Sequence, residues 1–162
     1  MRKHFVLSAG TVVAKRNVTQ SFGNDNTVII PMATLDKLQS KYLIRRDERA
    51  RIAKEFMDFL GTYSFKELRE GIIQPNGSCL KVVTDYKREI NKKVGELKAT
   101  EARMLQTCLE LQESLPEGEQ LILVSKSPLL RMKAELTGVK AQTFKDELLP
   151  ELREQYTGRV EV

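Results

Sequence analysis

Short apolar runs along this chain alternate with stretches whose apolar residues fall three or four apart. Phe5-Val6-Leu7 predicts a first strand, and Thr27-Val28-Ile29-Ile30 a second, stopped by Pro31. Pro31 suits the first turn of a helix, where its missing N–H costs nothing, and Leu35, Leu38 and Tyr42 follow on one face. A longer helix is expected from Asp47, with Ile52, Phe56, Phe59 and Leu60 at helical spacing and Gly61 as its end. Gly71-Ile72-Ile73 and Leu80-Lys81-Val82-Val83 flank Pro75-Asn76-Gly77, a hairpin signal. Thr100 is placed as an N-cap for a helix carrying Ala102, Leu105, Cys108 and Leu109. Leu121–Val124 is the most apolar strand and is expected at the centre of a sheet. Val139–Phe144 reads as a last short strand, and Glu147–Val162 as a helix followed by an extended end.

Strands alternating with helices of this length predict an α/β fold with a mostly parallel sheet, the Gly71–Val83 hairpin being an excursion from it. The 162 residues are enough for one domain with a real core, so residues 1–162 are taken as a single domain. The longest apolar runs are strand-sized, which predicts no membrane span. The apolar run after Met1-Arg2-Lys3-His4 is too short for a signal peptide, so the opening reads as the first strand of a cytoplasmic domain.

Charge and cysteine content narrow the chemistry. Two cysteines, Cys79 and Cys108, and a single histidine, His4, argue against a zinc site and against histidine-based catalysis. Lysine and arginine outnumber acids 27 to 22, a net charge of +5. Lys41, Arg45, Arg46, Arg49, Arg51 and Lys54 lie close together, opposed locally by Asp47 and Glu48. Such a run favours polyanion partners, the alternative being a solvated helix face. There is no GxGxxG and no GxxxxGK[ST], so the usual nucleotide-binding loops are missing.

The stretch Leu123–Ala134, LVSKSPLLRMKA, ends a strand at Ser125-Lys126-Ser127-Pro128 and starts a helix at once. Strand carboxyl ends are where α/β proteins place ligands. This one offers serines and a lysine, with no carboxylate.

The order of these stretches resembles the PIN domain, and within that family the PIN domain that precedes the ATPase in PhoH-like proteins. HFVLSAGTVV is similar to the group's opening V-L-D-T-N-V-L-L, and NTVIIPMATLDKLQSK to V-V-I-P-x-x-V-L-E-E-L-D. ERARIAKEFMDFL resembles its A-R-containing helix, EGIIQPNGSCLKVV its glycine-marked hairpin, and EARMLQTCLEL its D-x-R-I-L-x-x-A-L-E-L. LVSKSPLLRMKA resembles L-V-S-K-D-x-N-L-R-x-K-A, and YTGRVEV the segment leading to the ATPase, so residues 148–162 are read as a tail resembling that linker. The resemblance implies a nuclease-like fold in which carboxylates at the strand ends hold Mg²⁺ or Mn²⁺, the hard ions that prefer oxygen ligands, to activate water and steady a phosphate.

Taken position by position, the implied acids fall on Ser8, Lys37, Glu101 and Ser127. One is a carboxylate, two are hydroxyls and one has the opposite charge. Asp36, one residue before Lys37, matches the non-catalytic glutamate of E-E-L. A degenerate active site follows as the expectation, with no metal and no cofactor; Mg²⁺ or Mn²⁺ enters only for a weak ribonuclease with non-standard ligands.

Losing acids makes such a cleft less hostile to phosphate. Binding of RNA or single-stranded nucleic acid without cutting is therefore the first reading, through Lys37, Arg45, Arg46, Arg49, Arg51, Lys126 and Arg131. A protein-interaction module is the second, and the resemblance implies a homodimer. Bland roles stay open: Ser8 and Ser127 as turn residues, Glu101 as a first-turn acid, Arg131 and Lys133 as a solvated face. The sign reversal at Lys37 suggests a Lys37–Glu101 contact, unless Lys37 points to solvent.

Overall fold

The computed structural model describes residues 2–84 and 99–144. Six strands, β1 (Lys3–Leu7), β2 (Thr27–Pro31), β3 (Ile72–Ile73), β4 (Cys79–Val83), β5 (Gln120–Val124) and β6 (Lys140–Gln142), form one sheet in the order β3-β4-β2-β1-β5-β6. All neighbours are parallel except β3 and β4, which form the expected antiparallel hairpin. The hairpin belongs to the sheet, since β4 pairs in parallel with β2 along its whole length. β5 lies inside the sheet between β1 and β6, and the last strand is shorter than its apolar run suggested.

Both faces of the sheet are covered, which is why Phe5–Leu7, Val28–Ile30 and Leu121–Val124 of the central strands are apolar without a break. Phe5, Leu7, Val28, Ile30, Ile122 and Val124 pack on one side against α1 (Ala9–Val12), α3 (Glu48–Leu60) and α4 (Phe65–Glu70). Val6, Ile29, Leu121 and Leu123 face the other way, against α5 (Ala99–Ser114) and α6 (Pro128–Thr137). The period of two along each strand sorts these sets. Phe22 locks the first layer, its ring 4.9 Å from that of Phe5 and 5.8 Å from that of Phe144.

Local chemistry fixes the element ends. Asp47 caps α3 as expected, accepting from the Ala50 N–H. Ser64 and Glu67 form a reciprocal capping box on α4. Gly71 ends that helix at φ +106°, with the Cys79 sulfur 2.5 Å from where a Cβ would stand, so only glycine fits there. Thr100 lies within the first turn of α5 rather than at its cap, because the helix already includes Ala99.

Pro31 closes β2 and precedes α2 (Met32–Lys37), which runs directly into a π turn, Leu38–Tyr42. There the Leu43 N–H donates to the Leu38 carbonyl at 2.9 Å, an i to i+5 bond that fits one extra residue into the coil. The chain passes from β1 out through β2 to β4, then returns to β5 on the other side of β1. The carboxyl ends of β1 and β5 thus flank a topological switch point, the place where open parallel sheets bind ligands. No described helix is long and apolar enough to cross a membrane. The expected tail at 148–162 lies outside the described residues.

Candidate functional site

At that switch point lies a cleft of about 320 Å³, bounded by the loops after β1 and β5, by α2 with its π turn, and by the first turns of α5. Ser8, Lys37, Glu101 and Ser127, the positions implied to carry acids, all line it, as does Lys126. Residues spread over more than a hundred positions meet because Ser8 and Ser127 follow strand ends, Glu101 lies in the first turn of α5 and Lys37 ends α2 where it runs into the π turn.

The hydroxyls are committed to structure. Ser8 donates its N–H to the Val124 carbonyl at 3.0 Å, and its Oγ lies 3.1 Å from Thr11 Oγ1, which itself donates to Val124 O at 3.0 Å. Ser127 is the N-cap of α6: its Oγ accepts from the Leu130 N–H at 3.2 Å, and its own N–H donates to Ser125 Oγ at 3.1 Å. Thr34, on the cleft wall, donates to the Leu7 carbonyl at 2.7 Å. Ser127 caps α6 through its side chain, whereas Ser8 stands at the N-cap position of α1 with its hydroxyl turned to Thr11.

The charges are arranged unlike the sequence reading in one respect. Glu101 pairs with Lys133, whose Nζ donates to Oε1 at 3.3 Å, and the expected direct Lys37–Glu101 contact is not formed. Lys133 is 9% exposed. It shares the inward face of α6 with Leu130, Ala134 and Thr137, so the helical register aims it at α5. Lys37, Lys41 and Lys126 line the cleft with no carboxylate within 4 Å among the described residues. Asp36 turns outward to Arg103 of α5 at 2.7 Å and is not part of the lining, which leaves Lys37 as the occupant of the implied acid position.

Lys41 and Tyr42, which the sequence reading did not place at the site, reach it through the π turn. The Tyr42 ring is buried, with the Lys41 ammonium 5.4 Å and the Arg45 guanidinium 5.8 Å from its centroid. Its hydroxyl lies 3.7 Å from where a Gly10 Cβ would stand, on the cleft floor.

The remaining basic candidates lie elsewhere. Arg45 bonds Asp47, and Arg51 bonds Glu48 at 3.2 Å, both exposed pairs. Arg46 and Arg49 are exposed and have no acidic partner among the described residues. Arg131 donates to the Ser125 carbonyl at 2.7 Å, bracing the loop behind the cleft rather than lining it. His4 pairs with Glu119 at 2.6 Å, at the opposite end of β1 from Ser8.

A hard divalent ion needs several negative oxygens. Among the described residues the lining offers one carboxylate, Glu101, already bonded to an ammonium, and at the other implied acid positions the Ser8 hydroxyl meets Thr11 Oγ1 and the Ser127 hydroxyl caps α6. No group of three or more His, Cys, Asp or Glu side chains suited to a metal occurs among the described residues. The donor set among the described residues does not fit a catalytic metal. Cys108 is fully buried, which pushes its thiol up to about 12, far from a reactive thiolate. A second depression of about 170 Å³, beside Val18, Ile52 and Phe56, contains none of these positions.

Comparison with known proteins agrees with this architecture. The chain is 28% identical over 165 residues to Protein PhoH2 of Bacillus subtilis (strain 168), covering 98% of this chain and 36% of that protein; the chain thus spans about a third of that relative's length. Its fold resembles a solved domain of a functionally unknown protein from Methanocaldococcus jannaschii DSM 2661, with a TM-score of 0.57, 14% identity, and coverage of 91% of this chain and 94% of that one. The sequence profile of the PIN domain matches residues 5–145, and the chain belongs to the PIN-domain family.

Proposed function

We propose that this chain binds single-stranded nucleic acid, RNA foremost, in the cleft at the β1–β5 switch point without cutting it. The observation that carries this reading is the charge balance of the lining. Among the described residues Lys37, Lys41 and Lys126 line the cleft without carboxylate partners, and the one acid of the lining, Glu101, pairs with Lys133. Ammoniums so placed contact phosphates regardless of base sequence, and the buried Tyr42 and Met104 give the cleft an apolar wall. Cleavage is not part of the reading, because serine or lysine stands at three of the four implied acid positions, Ser8, Lys37 and Ser127. Fluorescence polarisation with a labelled oligouridine should show binding that weakens steeply with salt, and incubation with Mg²⁺ or Mn²⁺ should leave the oligonucleotide intact. Salt-independent binding, or none at low ionic strength, removes the proposal. Cleavage that is lost in Glu101→Ala replaces it with a weak nuclease.

A second reading, self-association, has its own observation. Leu129, Met132 and Leu136 are 56%, 62% and 60% exposed along one side of α6. Arg131 and Glu135 border this stripe, so two antiparallel copies of α6 would set each arginine near the other copy's glutamate. Sedimentation of the chain and of Met132→Glu tests it: a monomer in both discards the homodimer.

A further inference from the structure

Tyr42 lines the cleft and is 7% exposed, yet its hydroxyl has no hydrogen-bond partner among the described residues. The phenol oxygen lies on the cleft floor beside Gly10 and is not sealed in, unlike the unpartnered side-chain atoms of Thr107 and Gln142. Nearly every buried polar atom finds a partner, so an unbonded phenol facing a cleft marks a place where a bound group supplies the bond.

Proton bookkeeping adds two donors. Ser127 Oγ accepts from the Leu130 N–H at 3.2 Å and Ser125 Oγ from the Ser127 N–H at 3.1 Å. Each hydroxyl hydrogen is left without an acceptor among the described residues, and both side chains belong to the lining, Ser125 at 2% exposure. Ser8 is the reverse case. Thr11 spends its hydrogen on the Val124 carbonyl, so Ser8 donates to Thr11 and presents only lone pairs.

We propose that Tyr42, Ser125 and Ser127, with the ammoniums of Lys37, Lys41 and Lys126, form a subsite for a terminal phosphate monoester, the phosphorylated end of a nucleic-acid strand. The inference rests on the nucleic-acid reading above and narrows its ligand. An internal phosphodiester carries a single negative charge, whereas a terminal phosphate carries about 1.5 to 2 at neutral pH and offers three acceptor oxygens. A lining of three ammoniums and three hydroxyl donors matches the terminal group. The Tyr42 side chain also sits within the buried core layer, where a strand end reaches its hydroxyl more readily than a phosphate with a sugar on either side. Glu101 offers lone pairs only, so the phosphate settles on the donors and away from it.

Fluorescence polarisation compares labelled oligouridines of one length bearing a 5′-phosphate, a 3′-phosphate or hydroxyls at both ends, the label opposite the phosphate. The wild type should bind at least one phosphorylated strand about tenfold tighter than the hydroxyl-ended one at low ionic strength, and the preferred end gives the strand's polarity. Tyr42→Phe keeps the ring and should lose about threefold or more of that preference, with affinity for the hydroxyl-ended strand within about twofold of wild type. Its melting temperature should not fall, since the deleted hydroxyl bonds nothing among the described residues. Lys126→Met alters an exposed side chain and should also shrink the preference, which keeps the test intact if Tyr42→Phe does not fold.

Equal affinity for the three strands overturns the subsite and leaves the nucleic-acid reading standing on internal phosphates. A Tyr42→Phe variant that keeps the full preference overturns it too. If no strand binds, the nucleic-acid reading fails, and inorganic phosphate and uridine 5′-monophosphate decide the subsite by thermal shift. A rise in melting temperature for the wild type but not for Tyr42→Phe upholds it, and no rise overturns it.

Discussion

Two basic regions stand side by side in this protein, and they are built oppositely. On and just before α3 most cations answer near neighbours: Arg45 bonds Asp47, Arg51 bonds Glu48 at 3.2 Å and Lys54 bonds Asp58 at 3.0 Å, while Arg16 reaches Glu55 at 3.0 Å. In the cleft, Lys37, Lys41 and Lys126 come from separate elements and have no carboxylate within 4 Å among the described residues. A dense basic run in a sequence is therefore not the same as a positive surface. Exposed pairs a few residues apart cancel most of their field within a Debye length. Cations delivered by different elements to one concave spot add, because the walls exclude the water that would screen them.

The sharpest way to break this comparison is charge reversal on each side. Lys37→Glu with Lys126→Glu should weaken oligouridine binding by roughly tenfold or more and flatten its salt dependence, since each lost phosphate contact removes about 0.7 from the single-strand slope. Arg46→Glu with Arg49→Glu, which removes the two arginines of this region without acidic partners among the described residues, should have an intermediate effect. Arg45→Glu with Arg51→Glu should weaken binding less than about threefold, because those charges are already answered. An α3 effect larger than the cleft effect reverses the assignment of the binding surface.

Smaller effects test the cleft's edges. Asp36→Asn should leave oligouridine affinity within about twofold, since its carboxylate meets Arg103 outside the lining. A large gain in affinity would return Asp36 to the cleft. The smallest effect concerns Asp47, whose carboxyl is held below its usual 3.8 by the Arg45 hydrogen bond and by the Ala50 N–H. A carboxylate with a depressed folded-state pKa contributes stability that is fully present above its unfolded value and is lost as pH falls through its folded value. The melting difference between wild type and Asp47→Asn should therefore be present at neutral pH and shrink below about pH 4.

The strands, the hairpin and the cap of α3 were legible in the sequence because each rests on local periodicity or one capping side chain. Bringing Ser8, Lys37, Glu101 and Ser127 together was legible only through the family resemblance, since nothing local says which strand ends are neighbours. The partner of Glu101 was missed, although a signal existed. Lys133 falls at the i+3 position of the stripe Leu130, Ala134, Thr137, and a lysine on an inward stripe calls for a buried acid. Reading it as part of a solvated face ignored that register. Lys41 and Tyr42 gave no comparable signal, because a π turn has no sequence signature and shifts every later side chain around the helix axis. Arg131 was assigned by charge, and its commitment to the Ser125 carbonyl depends on how the β5–α6 loop folds back.

The π turn at Leu38–Tyr42 also bears on how relatives of this chain are aligned. It holds one residue more than an α-helix of the same span, so a relative without that residue would match well on both sides and still differ inside. Aligned without a gap, such a relative would seem to carry its own residues at positions 41 and 42 of the cleft while presenting them some 100° away. In such a relative the composition of the cleft would depend on chain length as well as on residue identity, and a deletion within the turn would change its charge as surely as a substitution does.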